Sequence, residues 1–296
     1  MPNKKSPVVG MKVQFPFQVS VCCWVDLLGY GSTIKEAKFN PMHPMAKNSV
    51  DRIRVFHQVV ADHSSRTFPT LVMNDGAAAY GDLSYRTPWP TYDFIQQSKR
   101  LFDAIQIADS ARGNPGARMV IATGFRLRGR ASQSSDLRGQ HVQKILKNLN
   151  AKKISIQEAI TRASQFRRSF DQIPQLQANF AFTKCYIAEQ SGAASGLKGP
   201  SCFIDSMLFD IGDIEKNGDL KLGRRIEWNS EKYGLDAIFY ELLEARFARQ
   251  TELRDGIAFH HGPDGFRDAL KVAELLSGDE KVLETLRRAR SADRAP

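Results

Sequence analysis

The chain has 296 residues, of which 42% are hydrophobic and 25% charged, and its formal net charge is +10. These values are ordinary for a globular protein and exclude disordered and fibrous classes. No apolar run is long enough for a membrane span, and the segment MPNKKSPVVGMK lacks the hydrophobic stretch of a secretory signal, so we expect a cytoplasmic protein with no membrane partner. The positive charge is scattered and is not interleaved with aromatic residues, which argues against a nucleic-acid partner.

Two segments in the first half of the chain have the composition of strands. The sequence FPFQVSVCCWVDLL, residues 15–28, is rich in β-branched and aromatic residues and predicts a buried strand that leaves through a glycine-containing loop at residues 29–32. Residues 68–73 and 77–83 flank an Asn-Asp-Gly turn. They predict a β-hairpin with Asp75 at its tip.

Two amphipathic helices are predicted between these strands. Apolar residues recur at helical spacing over residues 48–63, after Asn48 or Ser49 as the capping residue. A second helix is predicted over residues 91–112, and the strand-like segment 117–125 follows it.

The order strand, helix, hairpin, helix, strand predicts an α+β protein of the ferredoxin-like type, with helices packed on one face of a mixed sheet. In the second half we predict helices at 138–149, 155–168 and 174–191, strands at 201–209 and 223–229, a helix or strand at 235–247, and helices near 264–277 and 279–290. No low-complexity linker divides the halves. We therefore expect a single domain over residues 1–296, in which a core at 15–130 is completed and extended by an elaborated C-terminal part at 131–291.

Two aspartates occupy positions that suit metal ligands. Asp26 ends the first strand, where a carboxylate is costly unless a cation or hydrogen bonds satisfy it. If this strand lies beside the hairpin, Asp26 and Asp75 converge and can share hard cations such as Mg²⁺ or Mn²⁺. Two such ions could clamp the attacking and departing oxygens of a phosphoryl transfer. Taken alone, however, an aspartate at a strand end is more often a turn or capping residue.

Three segments resemble the core signatures of class III nucleotide cyclases: WVDLLGYGS, LVMNDGAAAYGD and ARMVIATGFRLRG. The resemblance covers roughly residues 16–130. It implies a ferredoxin-like cyclase fold and a head-to-tail homodimer with its sites at the interface. It also implies two-metal conversion of a nucleoside triphosphate to a 3′,5′-cyclic nucleotide and pyrophosphate.

The resemblance assigns roles to individual residues. Asp26 and Asp75 become ligands of two Mn²⁺ or Mg²⁺ ions per site, and the backbone carbonyl of Leu27 becomes a further ligand. Glycine leaves room for backbone N–H groups to approach phosphate oxygens, which suits a triphosphate-binding loop. That loop comprises Leu28, Gly29, Tyr30, Gly31 and Ser32.

A helix of the family carries an Asn and, four residues later, an Arg, which hold the ribose and the transition-state charge in the partner subunit's site. Residues 175–192 resemble this helix with Asn179 in place, but residue 183 is Thr and the nearest cation is Lys184. Lys184 projects about 100° further round the helix. Either the helix is rotated so that Lys184 supplies the charge, or another cation does, and the candidates are Arg126, Arg128 and Arg130.

The hairpin also bears on the choice of base. Adenine-using relatives have a Lys four residues before the hairpin Asp and guanine-using relatives a Glu, whereas this chain has Leu71. The chain is thus similar to the pyrimidine nucleotide cyclases of the bacterial Pycsar antiphage system. That resemblance implies conversion of UTP or CTP, with a uridylate cyclase favoured, and a cyclic product that a downstream effector reads in antiphage defence.

Two other functions stay open from the sequence. One is another metal-dependent nucleotidyl transferase with a cyclic purine or oligonucleotide product, although the hairpin turn lacks the second adjacent carboxylate common in such enzymes. The other is a non-catalytic domain that only binds nucleotide or nucleic acid. Product analysis would separate the first from a cyclase, and a steep salt dependence of DNA or RNA binding would favour a nucleic-acid module.

Overall fold

The computed structural model describes residues 17–127, 137–164, 173–245, 250–254, 257–261 and 264–292. The chain divides into two compact units, Met1–Phe17 with Leu127–Gln177 and Gln18–Arg126 with Ala178–Pro296. The expectation of one continuous domain stays a prediction.

The larger unit is built on a seven-stranded sheet, and a separate two-stranded hairpin lies later in the chain. The strands are β1 (Phe17–Leu27), β2 (Thr70–Met73), β3 (Gly76–Asp82), β4 (Ala117–Leu127), β5 (Cys202–Asp205), β6 (Leu220–Ser230), β7 (Leu235–Ala245), β8 (Gln250–Arg254) and β9 (Ile257–His261). Segment 235–247, which the sequence left as a helix or a strand, is thus a strand over its described part.

The helices occur between the strands and after the last of them. They are α1 (Tyr30–Glu36), α2 (Pro44–His63), α3 (Trp89–Ser110), α4 (Leu137–Asn150), α5 (Ile156–Ser164), α6 (Phe180–Ser191), α7 (Ile211–Asn217), α8 (Ala269–Leu276) and α9 (Glu280–Ala292). Helices α4 and α5 belong to the smaller unit.

The sheet order is β2-β3-β1-β4-β5-β7-β6. The first four strands follow the ferredoxin-like pattern, since the hairpin β2–β3 lies on one side of β1 and the strand after α3 lies on the other. Strands β1 and β3 pair antiparallel, while β4 and β5 pair parallel, so the sheet is mixed. The predicted α+β, ferredoxin-like fold with a C-terminal extension is confirmed.

Helices cover both faces of the sheet, which corrects the expectation of helices on one face. A side chain added at Gly81 would meet Phe94 of α3, whereas the Trp24 side chain on the opposite face packs edge-on against Phe182 of α6. Gly124 of β4 explains how α6 approaches so closely. A Cβ there would lie 2.7 Å from the backbone nitrogen of Ala181.

Several predicted boundaries are wrong. The helix predicted over residues 174–191 begins at Phe180, and the strand predicted over residues 201–209 ends at Asp205. Helix α2 begins at Pro44, because His43 accepts a hydrogen bond from the Met45 nitrogen and caps the helix before the predicted Asn48 or Ser49. Proline is well suited to the first helical position, since its missing N–H would have no intrahelical partner there. The residues after Gly29 were expected to form a loop, yet α1 begins at Tyr30.

In the described part of the chain, no helix is both long and apolar enough to cross a membrane.

Candidate active site

The pairing of β1 with β3 places the two aspartates next to each other. Asp26 lies opposite Gly76 in the antiparallel ladder, and Asp75 directly precedes Gly76. The Leu27 nitrogen also donates a hydrogen bond to the Asp75 carbonyl, with a donor–acceptor distance of 3.0 Å. The structure therefore brings together three of the predicted site residues, namely Asp26, Leu27 and Asp75.

Position 76 requires glycine, because the Trp24 ring occupies the space that a side chain would need. A Cβ at Gly76 would lie 2.4 Å from the Trp24 ring and 3.2 Å from an oxygen of the Asp26 carboxylate. The indole ring and the Asp26 carboxylate therefore lie on the same face of the sheet, side by side over Gly76. In the next row of this face, Leu71 pairs with Ala78, which pairs with Trp24.

The predicted triphosphate loop forms the entry to α1. The Leu28 nitrogen donates to the Gly116 carbonyl at 2.9 Å, and Gly29 caps α1 in the left-handed conformation with φ of 74°. Tyr30, Gly31 and Ser32 form the first turn of α1, where backbone N–H groups have no partner within the helix. This turn starts three residues after Leu27, which is hydrogen-bonded to Asp75 at the hairpin tip, and partial burial and the nearby charge of Asp75 raise the pKa of Tyr30.

Asp26 has the most perturbed carboxyl group of the site. Its pKa is raised to about 7, mainly by burial and also by the charges of Glu189 and Asp75, while the charges of Arg118 and Arg52 act in the opposite direction. Among the described residues, the Asp26 carboxylate accepts no hydrogen bond. A carboxyl group with this environment is close to half ionised at neutral pH and would gain from a cation.

An ion pair borders the site on the β4 side. The Arg118 guanidinium donates two hydrogen bonds to one Glu189 oxygen, at 3.1 and 2.8 Å, and a third to the Leu197 carbonyl at 3.1 Å. Glu189 is 1% exposed. The pair holds the C-terminal end of α6 against β4.

The residues present fit a divalent cation that is shared with a substrate. Asp26 and Asp75 supply two carboxylates with hard oxygen atoms, and no group of three or more His, Cys, Asp or Glu side chains suited to a metal occurs among the residues that the structure describes. A Mg²⁺-type ion is usually held by one or two carboxylates, with water and substrate phosphates completing its coordination. Asp26 and Asp75 match that pattern, because they lie beside the first turn of α1, whose backbone N–H groups have no partner within the helix.

Asn179 caps α6 far along the sheet from the aspartates. Its side-chain oxygen accepts from the Phe182 nitrogen, and its side-chain nitrogen donates to the Ser20 hydroxyl at 3.0 Å. Ser20 precedes Asp26 by six residues, about 20 Å along the strand. Within one chain Asn179 does not reach the aspartates, and its expected role in a partner subunit's site stays a prediction.

Lys184 is buried in an ion pair. Its ammonium group lies 2.9 Å from a carboxylate oxygen of Asp205, and the two side chains are 7% and 0% exposed. Asp205 also accepts hydrogen bonds from the Thr123 and Met207 nitrogens. The pair gives Lys184 a partner within its own chain, and its assignment as the transition-state cation stays a prediction.

The other candidate cations are Arg126, Arg128 and Arg130. Arg126 makes a bidentate pair with Asp82 on β3. Arg128 and Arg130 lie outside the described residues.

Sequence reasoning missed a polar cluster behind the site. Arg52 of α2 pairs with Asp109 of α3 at 2.7 Å, and the two side chains are 7% and 6% exposed. His57, also on α2, contacts the Asn74 carbonyl at 2.8 Å. A signal was available for Arg52, because it stands one helical turn before the buried Phe56 and two before Val60, on the face that packs inward.

Comparison with known proteins gives structural likeness only. No family model matches the chain, and no curated protein matches it. Among solved structures, the guanylyl cyclase Cya2 is 12% identical, with 78% of this chain and 94% of that chain covered and a TM-score of 0.44. The adenylyl cyclase CyaB from P. aeruginosa is 8% identical, with 79% and 98% covered and a TM-score of 0.42. The dimeric guanylyl cyclase domain of the RhoGC fusion protein from the aquatic fungus Blastocladiella emersonii is 7% identical, with 79% and 99% covered and a TM-score of 0.41. At these identities and scores the likeness does not assign a function to this chain.

Replacing Asp26 by Asn should make the metal-free protein more stable at pH 8 than the wild type, and leave it about equal at pH 4. The folded-state pKa of Asp26 is about 7, above the value near 3.9 expected for an unfolded chain. The wild type therefore loses stability as the pH rises between these values, whereas Asn does not ionise. Because the group is partly exposed, we expect a difference of about 1–3 kcal/mol in urea unfolding with EDTA present.

The matched control is Asp62→Asn, which removes an exposed carboxylate from α2 and should shift stability little at either pH. Saturating Mn²⁺ should reverse the advantage of Asp26→Asn at pH 8. An advantage of the same size at pH 4 and pH 8 would contradict the raised pKa.

Replacing Lys184 by Met should lower the free energy of unfolding by about 3–5 kcal/mol, because it leaves Asp205 buried without its cation. The double variant K184M/D205L removes both charges and should recover part of that loss, because Asp205 also accepts hydrogen bonds from the Thr123 and Met207 nitrogens. Chemical denaturation of the two single variants and the double variant measures this coupling. If K184M alone unfolds at the wild-type denaturant concentration, the buried pair is not as the structure places it.

Proposed function

We propose that this protein is a nucleotide cyclase that converts a pyrimidine nucleoside triphosphate, UTP in preference to CTP, to its 3′,5′-cyclic monophosphate and pyrophosphate. The observation that carries the proposal is the pairing of β1 with β3. It sets Asp26 and Asp75 side by side, next to the glycine-capped first turn of α1. A carboxylate pair beside unpartnered backbone N–H groups can bind a cation together with the phosphates that it bridges.

In the proposed reaction, a bond forms between the ribose 3′-oxygen and the α-phosphorus while the bond from that phosphorus to the bridging oxygen of the β-phosphate breaks. The hydroxyl proton and pyrophosphate leave. A divalent cation, when bound, would lower the pKa of the 3′-hydroxyl and neutralise phosphate charge. Catalysis of this kind depends on alignment and charge stabilisation, so the site needs no nucleophilic side chain.

The chain's own residues supply the alignment. The carboxylates of Asp26 and Asp75 and the carbonyl of Leu27 would hold Mn²⁺ or Mg²⁺, two ions per site. The N–H groups of Tyr30, Gly31 and Ser32 would orient the phosphates, and a Cβ at Gly31 would meet nothing within 4 Å, so this turn is open. Leu28 fixes the turn to the segment that precedes β4, through the hydrogen bond to the Gly116 carbonyl, and Gly29 lies beside Pro115 of the same segment.

The preference for a pyrimidine base rests on the apolar row beside the aspartates. Leu71, Ala78 and Trp24 form adjacent positions across β2, β3 and β1, on the face that carries Asp26. This row offers no charge to a base. A purine-reading Lys or Glu would stand at position 71 in relatives of the family that the sequence resembles.

The proposal extends to a homodimer, with Asn179 and Lys184 of one subunit acting in the partner's site. On α6, Phe180 is 56% and Tyr186 is 43% exposed, and Tyr186 packs edge-on against Trp24. A second copy could cover this aromatic surface. We further propose a cytoplasmic enzyme whose cyclic product is a second messenger for a separate effector in antiphage defence, a role that rests on the resemblance to the Pycsar cyclases.

Incubation with ATP, GTP, CTP and UTP separately, with Mn²⁺ present, tests the reaction. We expect cyclic UMP in preference to cyclic CMP, identified by chromatography and mass, from the wild type and from the surface control Asp62→Asn. Asp26→Asn and Asp75→Asn should lose at least about 100-fold in rate, since each removes a charge that the transition state needs.

The outcomes separate the alternatives. A cyclic purine nucleotide would support the proposed cyclase reaction and overturn the preference for a pyrimidine base. A linear or cyclic oligonucleotide would favour a nucleotidyl transferase. The absence of a product from all four nucleotides would contradict the proposal that the protein is an enzyme.

A further inference from the structure

Helix α2 contacts both backbone segments that carry the aspartates. The Arg52 guanidinium donates to the Leu28 carbonyl at 3.0 Å, and Leu28 lies two residues after Asp26. His57, five residues further along α2, contacts the Asn74 carbonyl at 2.8 Å, and Asn74 directly precedes Asp75. A carbonyl can only accept, so the Nε2 atom of His57 is the donor.

Arg52 is itself fixed on several sides. Its Nε and one terminal nitrogen donate to the two carboxylate oxygens of Asp109, at 2.8 and 2.7 Å. The same terminal nitrogen also donates to the Gly116 carbonyl at 3.2 Å, and Asp109 accepts from the Gly116 nitrogen at 2.9 Å. Arginine's planar fork suits this arrangement, and lysine cannot reproduce it. The segment after Asp26 is therefore tied to α2, to α3 and to the start of β4 at once.

His57 holds a strained turn. Asn74 is in the left-handed conformation, with φ of 57°, and its side-chain nitrogen donates to an Asp75 carboxylate oxygen at 2.9 Å. Asparagine tolerates this conformation better than most residues. The hydrogen bond from His57 to the Asn74 carbonyl fixes the peptide group that connects Asn74 to Asp75. Since His57 is only partly buried, its removal need not unfold the chain.

We propose that Arg52 and His57 are positioning residues, which set the separation of Asp26 and Asp75 and so determine how tightly the site binds a divalent cation with a nucleoside triphosphate. This inference rests on the proposed function. Stability alone would not require both contacts to fall on the two aspartate-bearing segments. A single rigid helix that holds both segments would keep the carboxylates in place before the cation arrives.

The test uses Mn²⁺ with a UTP analogue that lacks the 3′-hydroxyl, so that binding is read without turnover. Titration calorimetry and Mn²⁺ electron paramagnetic resonance would compare the wild type with His57→Phe, which removes the donor. We expect binding about three- to tenfold weaker, the size of one lost hydrogen bond, with the melting temperature nearly unchanged. His57→Gln places an amide N–H near the Nε2 position and should restore binding to within about twofold of the wild type.

Arg52→Lys should also weaken binding, and Arg54→Met is the control, because Arg54 lies on α2 with its side chain 74% exposed. In turnover assays the positioning variants should raise the KM for the triphosphate more than they lower kcat. Equal binding by wild type and His57→Phe would overturn the inference and leave the proposed function standing. Weaker binding by His57→Phe would also overturn the inference if it were accompanied by a lower melting temperature and were not restored in His57→Gln. A wild type that binds neither Mn²⁺ nor the analogue would overturn the proposed function, and the inference with it.

Discussion

The antiparallel pairing of β1 with β3 is the interaction on which the site depends. Side chains alternate between the two faces of a strand, so a shift of one residue in this pairing would turn Asp26 to the other face. Trp24 reinforces the register, since its ring fills the space over Gly76, which a larger residue could not share. The hydrogen bond from Leu27 to Asp75 then fixes the hairpin tip at the end of β1.

Buried ion pairs surround this pairing on both faces of the sheet. Arg52–Asp109 lies behind the loop after β1, Arg118–Glu189 joins β4 to α6, and Lys184–Asp205 lies beneath α6. The desolvation cost of such pairs largely cancels their attraction, so they contribute little net stability. Their directional hydrogen bonds do fix where helices and strands meet. We therefore infer that the main role of these ion pairs is to fix the positions of the helices and strands. A site made of two carboxylates requires such fixed positions.

The sequence predicted the parts of the fold that follow from local pattern. The run of β-branched and aromatic residues before Asp26, the Asn-Asp-Gly turn, and the apolar spacing over α3 each predicted the right element, and their order gave the ferredoxin-like topology. The proximity of Asp26 to Asp75 also followed from that order, because consecutive elements of this fold can pack in only a few ways. The start of α2 was missed because a histidine rarely serves as the cap.

The rest depended on contacts between residues distant in the chain. Arg52 and Asp109 are separated by 57 positions, and no local pattern links them. The polar side chain of Arg52 also falls outside any search for apolar spacing. Lys184 was judged by its angle on the helix, which could not show that Asp205 of β5 would meet it within the core. That α6 packs on the opposite face from α2 and α3 depends on Gly124, whose missing side chain is visible in the sequence but whose partner is not.

Crystals grown with Mn²⁺ and the UTP analogue that lacks the 3′-hydroxyl would test the central claim most directly, through anomalous diffraction at the manganese edge. We predict anomalous peaks within about 2.0–2.4 Å of carboxylate oxygens from both Asp26 and Asp75, with the phosphates lying against the first turn of α1. A nucleotide bound elsewhere, or manganese held by neither aspartate, would contradict the account.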